Sequence, residues 1–196
     1  RMADIVFPAI YEGTLRFLRM IPKTPNETAL DLCSGSGIAA LMMSRYAKRA
    51  VAADITARAS HFAQFNGLLN GCDNLEVACG DLYGAVQGQM FDLIVAHPPF
   101  VPSASDAVIY RDSGHTGEAL IKRIIEGLPQ FLRPGGKFYC VCAAWDTKDG
   151  RFEDRVRSWL GEQHADFDIV YALHRELLPE QIAKQLPEIK ESGDPS

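Results

Sequence analysis

The sequence predicts an α/β domain: a mostly parallel, twisted sheet with helices on both faces. Three observations lead there. Short apolar runs alternate with helix-like runs along most of the chain, the order that builds a parallel sheet with covering helices. The first apolar run passes into a turn carrying Gly35 and Gly37 and then into a helix, a strand-to-helix junction open to a ligand. A later apolar run stops at His97-Pro98-Pro99-Phe100, where proline can neither donate to a ladder nor continue a strand. Right-handed crossovers leave few topologies for such an order, and ligands then bind outside the carboxyl ends of the strands.

The elements follow in order. Thr28–Cys33 reads as a strand and Ile38–Arg49 as a helix. Ala50–Asp54 is a short buried strand. Ala57–Asn70 is an amphipathic helix with Phe62, Phe65 and Leu69 at helical spacing. Asn74–Cys79 and Phe91–Ala96 are strands. Glu118–Leu132 is a helix interrupted near Pro129, and Gly135–Ala144 a further strand. Asp149–Gln163 is a helix. From Ala165 to Leu173, Phe167, Ile169, Tyr171 and Leu173 alternate as in a half-buried strand. The stretch after it, LPEQIAKQLPEIK, reads helical. Residues 1–27 form a helical lead-in closed by Pro22 and Pro25, and 28–196 the main domain. Arg1 and the final ESGDPS read as cuts, so flanking regions are allowed for.

Bulk properties narrow the function classes. The 196 residues suffice for one sizeable core. A net charge of −5 without a Lys/Arg run gives no strong footprint for nucleic acid, although a local patch can hide in an acidic total. The five cysteines are odd in number and form no Cys-x-x-Cys pair, which reads as reduced, buried thiols in a cytoplasmic protein. No apolar stretch is long enough to span a membrane, no signal-peptide core opens the chain, and no metal-ligand spacing is found among His61, His164 and His174, which read as structural.

The strand ends carry the chemistry. Asp31 precedes the glycine turn, where an acid can face a cationic ligand and a pyrophosphate would gain nothing. Asp54 stands where an acid can take two ribose hydroxyls, or can begin the next helix, a task open to Thr56 as well. Asp81 can accept from an adenine amino group while Leu82 packs the ring, or can be a plain turn acid after Gly80. The next strand ends in His97-Pro98-Pro99-Phe100.

Taken together, this set resembles the class I S-adenosylmethionine-dependent methyltransferases. More narrowly it resembles their small-domain N-methyltransferases, a group that includes release-factor glutamine, ribosomal guanine and adenine amino methyltransferases. The resemblance runs from about Val6 to Ala144. VFPAIYEGT is similar to the group's pre-sheet segment, NGLLNG to its second-helix ending, and LRPGGKF to its turn into the fifth strand. It implies a Rossmann-like class I methyltransferase fold, a catalytic domain over 28–196, and S-adenosyl-L-methionine as cofactor. It also implies that Asp31, Gly35 and Gly37, with Cys33 and Ser36 in the same turn, line the methionine end of the cofactor. Asp54, with Ile55 beside it, would bind the ribose, and Asp81 with Leu82 the adenine. His97, Pro98 and Phe100 would form the catalytic turn, His97 also touching the cofactor, with Pro99 and Phe100 facing the substrate. The group carries Asn or Asp where this chain has His97.

That turn suits methyl transfer to nitrogen. An amide or aniline-like nitrogen has a delocalised lone pair, and accepting hydrogen bonds from its N–H groups encourages the pyramidal geometry that attacks a methyl group in line. The resemblance implies one acceptor from position 97 and another from a proline-segment carbonyl. Neutral His97 can accept through a ring nitrogen, or act as a base. The loop after Phe100 is expected to cap the site, with Tyr110 and Arg111 as substrate contacts and Asp112 and His115 as weaker candidates. Tyr11 and Thr14 are placed to close the cofactor pocket. The acceptor stays open among a protein, an RNA and a small molecule. Two other readings are carried: a non-catalytic cofactor-binding or RNA-associated module, favoured by the departure at His97, and a nicotinamide-dependent oxidoreductase, which needs neither Asp31 nor Pro98-Pro99-Phe100.

Overall fold

The computed structural model describes residues 6–102, 113, 116–147, 150–173 and 176. It runs α1 (Glu12–Met20), β1 (Asn26–Leu32), α2 (Ile38–Met43), β2 (Ala47–Asp54), α3 (Ala57–Leu69), β3 (Leu75–Cys79), β4 (Phe91–Ala96), α4 (Ala119–Phe131), β5 (Leu132–Cys140) and α5 (Phe152–Trp159), with 3-10 turns at Leu82–Val86 and Gly161–Asp166. The strands pair in parallel in the order β3-β2-β1-β4-β5. The chain therefore builds outward from β1 to β3, then crosses back to lay β4 on the other side of β1. The order reverses between β1 and β4, where a ligand crevice opens in such sheets.

Strand alternation divides the core into two layers. Leu30, Leu32, Ile94 and Ala96 face α4, α5 and the Leu82–Val86 turn. Ala29, Leu93 and Val95 face the other way, onto Phe17 and Ile21 of the lead-in and Met43 of α2. Phe17 and Ile21 are each 2% exposed, and burying such side chains is worth about 1.5–3 kcal/mol apiece. The lead-in thus packs as part of the sheet's own core.

Several expected elements change. The helix expected over Ile38–Arg49 stops at Met43, because Ala47 and Arg49 pair with Asn26 and Thr28 at the start of β1. Pro129 does not interrupt α4, which runs through it and ends two residues later at Phe131, the Ile125 carbonyl going without its usual N–H donor. The next strand begins at Leu132 and ends at Cys140, displaced from Gly135–Ala144. The helix expected over Asp149–Gln163 shortens to Phe152–Trp159, and Gly161, at φ +64, turns the chain into the second 3-10 segment. Residues 167–173 form no strand. Phe167 and Ile169 still pack on the core while Leu173 is 80% exposed, so the alternation describes a chain lying on the surface without ladder bonds.

The largest change of face is in α3. Phe62, Phe65 and Leu69 are exposed, and the buried stripe is Ala59, Ala63 and Gly67. Small residues are needed there because the helix lies close to its neighbours: a Cβ on Gly67 would come within 2.9 Å of Leu75, and one on Gly37 within 2.8 Å of the Ala63 Cβ. Gly37 also sits at φ +78. Gly37→Ala should therefore cost about 2–4 kcal/mol of unfolding free energy, combining left-handed strain with overpacking. The urea midpoint of the purified variant measures it; a fall of under a few tenths of a kcal/mol would show that α3 can move away freely.

Candidate active site

The glycine turn leaves β1 through two left-handed residues, Cys33 at φ 57 and Gly35 at φ 53. The space where a Gly35 Cβ would stand holds no atom within 4 Å, so the turn presents bare backbone to the crevice. Asp54, at the end of β2, braces it. One carboxylate oxygen accepts the Gly35 N–H at 2.8 Å, and the other accepts the Thr56 N–H at 3.0 Å and the Thr56 hydroxyl at 3.3 Å. Thr56 is the N-cap of α3, its Oγ1 accepting from Ala59 at 3.1 Å. An ionised carboxylate offers about four acceptor positions, so Asp54 retains capacity for a ligand hydroxyl. Ser36 is fixed from α3, where Asn66 donates to its carbonyl at 2.9 Å. Ile55, beside Asp54, is 53% exposed.

Asp31 lies deeper. It is 2% exposed, and its Oδ2 accepts the Ala40 N–H of α2 at 3.1 Å. Burial pushes its carboxyl up to about 8, with the Ala40 bond lowering it and the nearby charge of Asp54 raising it. The Cys33 thiol is likewise pushed up, by burial first and then by Asp54, Asp31 and Asp81, with Arg123 opposing. Acids from the ends of β1, β2 and β3 thus surround one turn, which suits a ligand bearing hydroxyls and positive charge. Asp81 is half exposed and pairs with Arg123 of α4 at 2.7 Å. Leu82, in the left-handed region at φ 47, is buried beside it.

Across the switch point, β4 delivers His97. Its imidazole lies between two aromatic rings: Phe17 of α1 at 5.2 Å, tilted by 47°, and Phe100 at 6.0 Å, stacked within 16°. Burial holds its pKa below the ordinary histidine value. Among the described residues the ring is held by packing alone, and its nitrogens are unengaged. Pro98 is fully buried, while Pro99 and Phe100 are partly exposed. Thr14 is buried at 6% exposure, and Tyr11 is 56% exposed with its ring edge-on to Phe7.

Tyr110, Arg111, Asp112, His115 and His174 lie outside the described residues. The cysteines, expected to be buried, are free thiols of which Cys79 is exposed and the other four partly exposed. Among the described residues, no group of three or more metal-binding side chains converges, and no helix is long and apolar enough to cross a membrane. Sequence reasoning missed three parts of the site. Arg123 carries no motif and meets Asp81 only because α4 packs on the Leu82–Val86 turn that follows β3. Phe17 carries no motif, and its contact with His97 has no local signal. Asn66 is one polar residue among several on α3.

Glycine turn, strand-end acids and a proline-bearing turn thus meet at the switch point of a parallel α/β sheet, and comparisons with known proteins identify the family. The methyltransferase small domain family matches residues 8–146, and the chain belongs to that family. A Methanocaldococcus jannaschii protein named as a protein N5-glutamine methyltransferase is 30% identical over 139 residues, covering 66% of this chain and 70% of its own. A ribosomal protein uL3 glutamine methyltransferase from Bradyrhizobium diazoefficiens is 26% identical, covering 76% of this chain and 51% of its own. A release factor glutamine methyltransferase from Xylella fastidiosa is 30% identical, covering 61% and 48%. The chain spans about half the length of these two bacterial relatives. A Pyrococcus furiosus methyltransferase structure, 22% identical, covers 75% of this chain and 68% of its own with a TM-score of 0.56, which shows the shared fold. The expected Rossmann-like methyltransferase fold and the S-adenosylmethionine-dependent class are borne out.

Two measurements test the site. S-adenosylhomocysteine should raise the melting temperature, and Asp54→Ala should remove most of that rise, a loss of roughly 1.5–3 kcal/mol for a charge-assisted bond. Unchanged affinity in the variant, read by calorimetry, would exclude Asp54 from the cofactor site. Asp31 has the opposite pH signature to an ordinary acid. Its folded pKa of about 8 lies above its unfolded value, so between about pH 4 and pH 8 the folded chain holds a proton that the unfolded chain has lost. Its contribution to stability is full below pH 4 and is lost as pH rises through 8. Denaturation series from pH 5 to pH 9 should show wild type losing stability relative to Asp31→Asn; parallel curves would mean that Asp31 is already ionised.

Proposed function

We propose that this chain transfers the methyl group of S-adenosylmethionine to the side-chain amide nitrogen of a glutamine in a protein acceptor. The observation that carries the reading is His97: a half-buried imidazole just past the end of β4, held by Phe17 and Phe100, with its pKa lowered and its nitrogens unengaged by described residues. The names of the similar glutamine methyltransferases favour a protein amide over the other acceptors carried above. Relatives named for a ribosomal protein and a release factor also support a cytoplasmic place of action.

The cofactor, when bound, supplies an electrophilic methyl group on sulfur. Asp54 takes the ribose hydroxyls with the acceptor capacity left after bracing Gly35 and Thr56. Asp31 faces the amino end, Asp81 and Leu82 hold the adenine, and the bare backbone at Gly35 admits the ligand closely. On the acceptor side, a neutral His97 nitrogen accepts one amide N–H and a carbonyl of the Pro98–Pro99 segment the other. Both bonds strengthen as positive charge develops on the amide nitrogen, so they act in the transition state. Phe100 stacks on the planar amide, and Tyr110 and Arg111 contact the acceptor chain. His97 does this only when neutral: its protonated ring has no acceptor and repels the sulfonium.

Incubation with labelled S-adenosylmethionine and purified uL3 or release factor, followed by mass spectrometry of the glutamine-containing peptides, tests the reaction. Label on glutamine supports it; label elsewhere, or none with cofactor bound, rejects it. His97 adds a pH test. Because its pKa lies below the usual 6.5, kcat should hold through neutrality and fall only in more acidic buffer, as the ring gains its proton. His97→Asn restores a non-titrating acceptor and should keep activity while flattening the acid limb. His97→Ala should lose about 10²-fold. A dead His97→Asn beside an active His97→Ala would show that the residue shapes the turn and accepts nothing.

A further inference from the structure

The chain that leaves Phe100 returns to the same place before α4 begins, and described residues at its two ends are tied together. Ser113, 5% exposed, donates its backbone N–H to the Val101 carbonyl at 3.0 Å. Its hydroxyl accepts the Leu120 N–H in the first turn of α4 at 3.1 Å. Gly117 lies against the Phe100 backbone at φ +72. A Cβ there would overlap the Phe100 carbonyl oxygen and stand 3.2 Å from both Phe100 C and Pro102 Cδ. Glu118, 9% exposed, holds this end of α4 to α5 by accepting from Arg155 Nη2 at 2.6 Å and Nε at 3.1 Å.

We propose that Gly117 and Ser113 are positioning residues for methyl transfer, forming a clasp that fixes the Phe100 backbone and, through the Phe100 ring, the orientation of His97. The proposal rests on the reading of His97 as the amide acceptor. The physical reason lies in what the turn lacks. Pro98 and Pro99 have no N–H, so the segment cannot anchor itself by donating hydrogen bonds. The His97 ring depends on its two aromatic neighbours. Phe17 is set by the core, at 2% exposure, whereas Phe100 is partly exposed and needs an external brace. That brace is the backbone bond from Ser113 to Val101, with Ser113 itself anchored to α4 through its hydroxyl on the Leu120 N–H, and the close approach of Gly117, where any larger residue meets both a left-handed backbone and the Phe100 carbonyl. The clasp lies on the acceptor side of the crevice and touches neither the glycine turn nor Asp54.

The test combines proton NMR of the His97 ring, calorimetry with S-adenosylhomocysteine, and turnover with purified uL3 or release factor. The variants are Gly117→Ala, Ser113→Ala and Ser113→Thr, the last keeping the hydroxyl acceptor. Gly117→Ala and Ser113→Ala should shift the His97 ring protons downfield as the shielding Phe100 ring moves off. Affinity for S-adenosylhomocysteine should stay within about twofold of wild type, while kcat falls about 10²-fold, the scale expected for a small misplacement of reacting groups. Ser113→Thr should resemble wild type. Unmoved His97 signals in the folded variants overturn the proposal. So does a loss of S-adenosylhomocysteine affinity parallel to the loss of kcat, since the clasp would then only hold the fold. If one variant does not fold, the other carries the same readings. If wild type methylates neither acceptor, the amide reading fails, and the His97 signals still decide whether the clasp orients the ring.

Discussion

The Asp54 carboxylate is the point on which the glycine-turn half of the crevice depends. It joins the Gly35 N–H of the turn after β1 to the Thr56 N–H and hydroxyl at the head of α3. The glycine turn has three left-handed residues, Cys33, Gly35 and Gly37, and Asp54 supplies the acceptor for its Gly35 N–H, where no side chain stands. Together with burial, the larger cause, the same carboxylate disfavours ionisation of Asp31 and Cys33 behind it. One group therefore braces the turn, marks the head of α3 and sets much of the local field. Charged groups so placed are expected at functional sites.

The proline-turn half is built on different physics. His97 is oriented by ring contacts, and its turn is braced from outside through Val101 and Gly117. Aromatic packing engages neither imidazole nitrogen, and desolvation lowers the pKa, which favours the neutral form. The two halves meet because β4 is laid beside β1, on the side away from β2. The acids belong to one edge of that crevice and the proline turn to the other.

The face that α3 shows to solvent has a related cause. Close packing on α2 and β3 selects Ala63 and Gly67 for the contact and leaves Phe62, Phe65, Leu68 and Leu69 outside. Helical spacing of large apolar residues marks a face, but neighbours at short range admit only small ones. The stripe that looks like core in the sequence is therefore surface.

Local rules suffice where the cause is local. Apolar runs at Leu30, Val51 and Ile94 specify strands whatever surrounds them, and glycines and prolines announce turns through their own backbone limits. Acids at successive strand ends are readable because parallel topology sends every such end to one rim. By itself, then, the sequence determined the sheet, its direction and the rim on which the chemistry stands. Tertiary structure decided what depends on approach between distant segments. It ended the helix at Met43, because Ala47 and Arg49 pair with β1, and kept Ala165–Leu173 out of the sheet. It set Arg123 against Asp81, Phe17 against His97, and Gly117 against Phe100. These contacts join residues many positions apart whose side chains carry no mark of their partners, and only the packed chain brings them within range.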